Sequence, residues 1–466
     1  MGTVKKQINE ELFIKASSSL ATLYNTVGKP QRSLEILDDA MKVIEHLNNE
    51  KERITCLLHI SECYSIMNDV SKVEEYSLKG LEAAERLKDK EMLSYALNNM
   101  GFVCYFRKDY DKSLSYYGES LAIKEKLGII GDSPTVYLNL GVVYEGLGDT
   151  EKERECYEKC LAISLKKKDL NIASITYNWL ASWYMKAGET EKQFECLEEG
   201  LRLRKKLGYK KGEMITSNNI AVAYMRRCKY EKAKKYFEHA LRIAQDINDP
   251  VFQSTILFNA SKILYIEFDL EKAMNAIERS GQISEKIKDY TNLGYCHYLC
   301  GYIHLARGNV RKARKEYGEL EVLLPKIGEK RLEIICSLMK AELALHSPVK
   351  EKGFPLEFAE TALEKAGEYK DSELIANAVF LRATAETVVN KLDKNRIKAL
   401  MSEFEKAIGI LKQLGHPFEE ALALGHYCRF LEVFIPKMAS ERKKELSRLL
   451  KGINASPWLS VLLRGN

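Results

Sequence analysis

Proline is scarce in this sequence, 9 residues in 466, so little in it would interrupt a helix. Long apolar runs are absent too: no stretch approaches the about 18 uninterrupted apolar residues that a spanning helix needs. The N-terminus, Met1-Gly2-Thr3-Val4-Lys5-Lys6, continues into polar residues where a secretory leader would carry an apolar segment. Gly2 without Ser or Thr at position 6 also misses the myristoylation pattern. Neither secretion nor a membrane is expected, and the compartment expected is the cytoplasm.

An excess of one charge is also lacking. Lys and Arg outnumber Asp and Glu by 72 to 66, a net +6, and the densest basic runs, at 166–168 and 442–444, are three residues long. That makes no footprint for phosphate, so nucleic acid is not expected as a partner. None of the 11 cysteines forms a CxxC pair, and several fall at apolar helix positions, as reduced core residues do. No GxxxxGK[ST], GxGxxG after a strand, GxSxG, HExxH or DxDxDG pattern occurs. With no strand pattern of useful length, the class is all-α, and neither catalytic residues nor a cofactor is expected.

What the sequence does contain is a repeat. At a shift of 40 residues, small side chains fall into one column: Ala21, Ser61, Gly101, Gly141, Ala181, Ala221, Ser261 and Gly301. Small residues recurring at one point of a helix pair are what close helix approach requires. Three residues on lies a mostly aromatic column, Tyr24, Tyr64, Cys104, Tyr144, Tyr184, Tyr224, Leu264 and His304, on nearly the same helix face. Four residues further come Gly28, Asn68, Lys108, Gly148, Gly188, Cys228, Phe268 and Gly308, a helix end and turn. A second helix follows, with Leu81, Leu121, Leu161, Leu201 and Leu241 again 40 apart.

Residues 1–328 are thus expected to form eight regular helix-pair units. From 329 to 435 the period weakens into two or three degenerate units, with an inserted loop near 347–355. Residues 436–466, with Leu446, Leu449, Leu450 and Ile453 on one side, read as a capping helix and tail that cover the exposed end of the stack.

The columns Ala221, Tyr224, Cys228, Ala233, Phe237 and Ala240 carry the pattern small residue, Tyr, turn, Ala, aromatic, Ala, which resembles the tetratricopeptide repeat family over roughly residues 11–328. The period is 40 where the common form has about 34. Longer units of this kind resemble those of kinesin light chains, of adaptors with Leu-Gly-Asn repeats, and of the sensory arms of bacterial multidomain regulators. The resemblance implies a right-handed superhelical solenoid of antiparallel helix pairs, with first helices lining a concave groove that binds a peptide or protein segment.

Asn98, Asn139, Asn178, Asn218 and Asn259 recur on first helices two or three residues before the small column, and Asn is a mediocre helix former. The resemblance implies that such side-chain amides hold a ligand backbone; the other reading is that they bond to the adjacent unit or face water. Tyr105, Tyr265, Tyr295, Tyr298 and Tyr302 are candidate aromatic anchors on the same face, and Arg226, Arg227 and Lys262 a basic lip for an acidic ligand. The Lys and Asn pattern of chaperone-tail carboxylate clamps is not reproduced, since Phe102 and Val142 follow the small column. His297, Cys300 and His304 share a helix face but occupy packing columns, so no metal is expected. The function expected is a non-enzymatic interaction scaffold or sensory arm. Two alternatives stand beside it: the regulatory region of a larger ATPase, kinase, cyclase or transcription regulator, and self-association through the irregular C-terminal units.

Overall fold

A computed structural model describes residues 2–26, 28–67, 69–129, 134–346 and 354–463. Among these residues there are helices and no strand. The first helices are α1 (Gly2–Thr26), α2 (Pro30–Leu47), α3 (Glu50–Ile66), α4 (Val70–Leu87), α5 (Lys90–Phe106), α6 (Tyr110–Lys126), α7 (Pro134–Leu147) and α8 (Thr150–Lys167). Next come α9 (Leu170–Lys186), α10 (Thr190–Leu207), α11 (Lys210–Arg226), α12 (Tyr230–Asp246), α13 (Pro250–Ile266), α14 (Leu270–Ile287), α15 (Tyr290–Ala306) and α16 (Val310–Ile327). The last are α17 (Lys330–Leu345), α18 (Phe354–Tyr369), α19 (Ser372–Val389), α20 (Lys394–Leu414), α21 (Pro417–Phe434), α22 (Pro436–Gly452) and α23 (Trp458–Leu462). The loop expected near 347–355 falls outside the described residues as far as 353.

Helix starts are written in the sequence as an Asp every 20 residues over much of the chain. The carboxylates of Asp69, Asp89, Asp109, Asp149, Asp169, Asp249, Asp269 and Asp289 each accept the backbone N–H three residues on, at 3.0 to 3.4 Å. Each satisfies a donor that the first turn leaves without a partner, a contribution of about 1 kcal/mol per cap. Helix ends follow the turn column: Gly28, Lys108, Gly148, Gly188, Cys228, Phe268 and Gly308 all have φ between 56° and 75°. Asn68 of that column lies outside the described residues. The left-handed turn is therefore a demand of the fold, which Lys, Cys and Phe meet at a cost of about 1–2 kcal/mol each.

The small column packs as expected, and its size is matched to the residue 16 positions later on the second helix. A Cβ on Gly101 would lie 2.7 Å from Cε1 of Tyr117. Gly141 and Gly301 face Tyr157 and Tyr317 in the same way. Where the column holds Ala (Ala21, Ala181, Ala221), the later residue is Leu37, Leu197 or Phe237, all at most 2% exposed. Ser61 meets Ser77, with 2.8 Å between their hydroxyl oxygens.

From α1 to α10 and again from α12 to α23 each helix packs on the next, and first helices also pack on first helices: α1 on α3, α3 on α5, α5 on α7, α7 on α9, and again α13 on α15, α15 on α17, α17 on α19 and α19 on α21. The chain divides into two compact units, one up to Ser217 and the other from Asn218. In the first unit the apolar core is divided into local clusters, such as Ile14, Ala21, Leu37, Ala40, Ile44, Cys56, Ile60 and Cys63. Tyr209 lies against the Gly28 turn, where a Cβ would come 2.9 Å from its Cε2. In the second unit one cluster runs from Phe258 to Leu462.

Candidate functional site

The second unit holds a partly open cavity of about 400 Å³. That is the size class of sites for small ligands or a few peptide residues. Its wall is made by first helices. Phe258, Lys262 and Tyr265 stand on one face of α13 and Tyr295, Tyr298 and Tyr302 on one face of α15, at the three-, four- and seven-residue spacings that align side chains. Arg226 enters from the end of α11, Arg331 and Glu342 from α17, Glu373 and Asn377 from α19, and Glu419 and His426 from α21.

Beside the cavity, the C-terminus returns to α13. Trp458 of α23 is 2% exposed. Its indole N–H reaches two carbonyls at the end of α13, Tyr265 O at 3.2 Å and Ile266 O at 3.0 Å. Both carbonyls belong to the last turn of α13, where Tyr265 O also accepts the Phe268 N–H at 3.0 Å, so the indole adds to the cap of that helix. The Trp458 ring lies 4.8 Å from Tyr265, 5.1 Å from Phe268 and 5.2 Å from Phe418.

Charge inside the chamber is unevenly satisfied. Arg331 pairs with Asp371 and, at 2.9 Å, with Glu373. Glu342 accepts a hydrogen bond from the Tyr302 hydroxyl at 3.0 Å. Burial, and then the neighbouring Glu373, hold the Glu419 carboxyl above its ordinary range. Burial also holds the Lys262 ammonium below its ordinary value, and that ammonium sits 4.6 Å from the Phe258 ring centroid. His426 Nδ1 lies 2.9 Å from Arg429 Nη2 and 3.0 Å from Thr384 Oγ1. Because an arginine can only donate, that nitrogen is an acceptor and the ring is neutral, in keeping with burial lowering its pKa.

Of the residues singled out in the sequence, the structure brings Asn259, Tyr265, Tyr298, Tyr302 and Arg226 together at this chamber, with Tyr295 and Lys262. Tyr105 is elsewhere, in the first unit, 6.0 Å from the Tyr110 ring. The asparagines are engaged between successive units: Asn139 donates to Asn98 Oδ1 at 3.3 Å, Asn259 to Asn218 Oδ1 at 3.3 Å, and Asn178 to Ser174 O at 3.0 Å and Thr216 Oγ1 at 3.2 Å. His297 Nδ1 is 2.8 Å from Glu316, and no group of three metal-ligating side chains is found among the described residues. Sequence reasoning missed Glu342, Glu373, Asn377, Glu419 and His426, which come from units where the period no longer assigns a face. Burial pushes the Cys56 and Cys296 thiols up to about 12, which leaves them inert as nucleophiles near neutral pH.

The family model described as tetratricopeptide repeat matches residues 92–166 and 172–246. The chain carries tetratricopeptide repeats. No curated protein matches it by sequence. Among solved structures, a Rap protein complexed with competence and sporulation factor is 14% identical, with 84% of this chain and 99% of that one covered, at a TM-score of 0.52. The apo quorum sensor NprR from B. thuringiensis is also 14% identical, covering 88% and 99%, at 0.52. Aspartyl phosphate phosphatase F from Bacillus subtilis is 15% identical, covering 78% and 95%, at 0.51. At such identities the likeness is one of fold: an all-α stack of tetratricopeptide-type helix pairs. Among the described residues no helix is long and apolar enough to cross a membrane.

Proposed function

We propose that this chain is a non-catalytic cytoplasmic receptor arm that binds a short peptide or protein segment on its first-helix faces, with the chamber of the second unit as the principal seat. The observation that carries this is convergence. Seven of the thirteen candidate residues named from the sequence line one space of about 400 Å³, among aromatic side chains of the kind that dominate binding energy at interfaces. A Rap protein of similar fold is solved with competence and sporulation factor bound, which is in keeping with a ligand-binding role. A preformed site loses little entropy when it is filled, because its helices are already ordered.

For the asparagines the reading divides. Asn98, Asn139, Asn178 and Asn218 join successive units, so a ligand using them would have to take over bonds already made. Their expected role is to hold the register of the first helices, and Asn259, which bonds Asn218 and also lines the chamber, can serve both ends. Partner capture from a cell extract by the purified full chain, followed by mass spectrometry, tests this division. Tyr298→Ala should abolish capture of a discrete partner, whereas Asn178→Ala should lower stability and leave capture in place. Retention by Tyr298→Ala with loss in a folded Asn178→Ala protein would move the seat to the asparagine ladder.

A further inference from the structure

We propose that Arg226 and Lys262 form the seat of a carboxylate carried on an apolar body, so that the chamber reads the free C-terminal end of its ligand. This rests on the chamber being the ligand site. Every other ionic group named on its wall is engaged or muted: Arg331 by Asp371 and Glu373, Glu342 by the Tyr302 hydroxyl, and Glu419 by burial that favours its neutral form. Arg226 and Lys262 are the exceptions. Among the described residues neither has a carboxylate within ion-pair distance, although both line the cavity.

Their placement suits an arriving anion. Arg226 ends α11 at the solvent-exposed rim, and Lys262 stands further in on α13, half-buried over the Phe258 ring. A half-buried ammonium over an aromatic face has lost hydration, and Glu419 and Glu373 act on it from a distance without pairing with it, so an anion in direct contact restores what it lost. Arg226 can add a forked pair of N–H donors at the mouth, which suits a planar carboxylate better than a point anion. Beyond the two cations the wall turns to Tyr265, Tyr298, Leu299 and Leu422, so the rest of the ligand meets rings and aliphatic carbon. The shared chemistry is a carboxylate on an apolar body, and its two sources are a peptide C-terminus and a small fatty acid.

The test uses the full chain, equilibrium dialysis and mass spectrometry. The probes are a pool of pentapeptides randomised over Leu, Ile, Val, Phe and Tyr with a free C-terminus, the same pool with C-terminal amides, and octanoate. The free-acid pool should be retained about 10- to 100-fold more tightly than the amides, the range for a charge-assisted hydrogen bond made in a desolvated site. Arg226→Gln and Lys262→Gln should each narrow that ratio, and the acid-to-amide comparison on the unaltered chain needs no variant to fold. Equal retention of acid and amide overturns the carboxylate seat and leaves the chamber as a peptide site. Retention of octanoate without either peptide pool upholds the seat and removes the peptide reading. Retention of none of the three overturns both.

Discussion

The two units of this chain are built from the same helix pair but hold themselves together differently. In the first unit, described clusters such as that of Ile54, Leu58, Ala83, Ala84 and Ala96 span adjacent helix pairs, and amides such as Asn139 to Asn98 tie each pair to the next. Stability there is close to a sum of neighbour interactions. In the second unit the period fades, yet the core is continuous and is fastened across 193 residues by the Trp458 indole on Tyr265 O. The comparison teaches that loss of repeat regularity need not mean loss of order. Irregular units give up the interchangeable interface and gain a long-range closing contact, Trp458 on Tyr265 and Phe418, beside a cavity.

The largest expected effect breaks that closure. Trp458→Ala removes a buried ring and both its hydrogen bonds, at a cost of about 3–5 kcal/mol. Hydrogen exchange should accelerate over α13 and α21 while α3 to α6 keep their protection. Unchanged protection of α13 would show that the second unit does not depend on its closing residue.

A mid-sized effect tests the local interface of the first unit. Gly101→Ala drives a Cβ to within 2.7 Å of Tyr117 and should lose about 1–3 kcal/mol by overpacking. Adding Tyr117→Leu recreates the Ala and Leu pairing seen at Ala181 and Leu197 and should recover part of that loss in denaturant melts. If the double variant is worse than the sum of its parts, the matching of column and partner is not what sets the spacing.

The smallest effect is one of slope. Lys124, 2% exposed and 4.2 Å from the Tyr95 ring centroid, is lowered by burial from 10.5 to about 8. The folded value lies below the unfolded one, so between about 8 and 10.5 the unfolded chain binds more protons and this group's contribution to stability rises with pH. The stability difference between the unaltered protein and Lys124→Met should therefore shift in favour of the unaltered protein as pH rises through that window. A flat difference would place the ammonium in water.

Much of this architecture was legible in the residues. The column through Gly101 and Gly141 marks helix contacts because a methyl group has no room there, and the column through Gly148 and Gly308 marks turns because φ is positive there. The Asp period of 20 that caps so many helices was equally present and went unread, since a carboxylate before a helix looks like any other surface charge until its hydrogen bond is seen. The candidate site was legible only in part. Tyr265, Tyr298, Tyr302, Asn259 and Arg226 follow from the register of the regular units. Their partners Glu342, Glu373 and Glu419 stand where no register assigns a face.

By itself, then, the sequence determined the helix pair, its period and the faces that pack, because these depend on side-chain size and backbone conformation within about 40 residues of chain. Which asparagines bond to one another, that Trp458 reaches the end of a helix 193 residues away, and that Arg226 and Lys262 share one cavity without a carboxylate in ion-pair contact were decided only by tertiary structure. Those relations depend on how small rotations between successive pairs accumulate, and no local pattern of residues encodes such a sum.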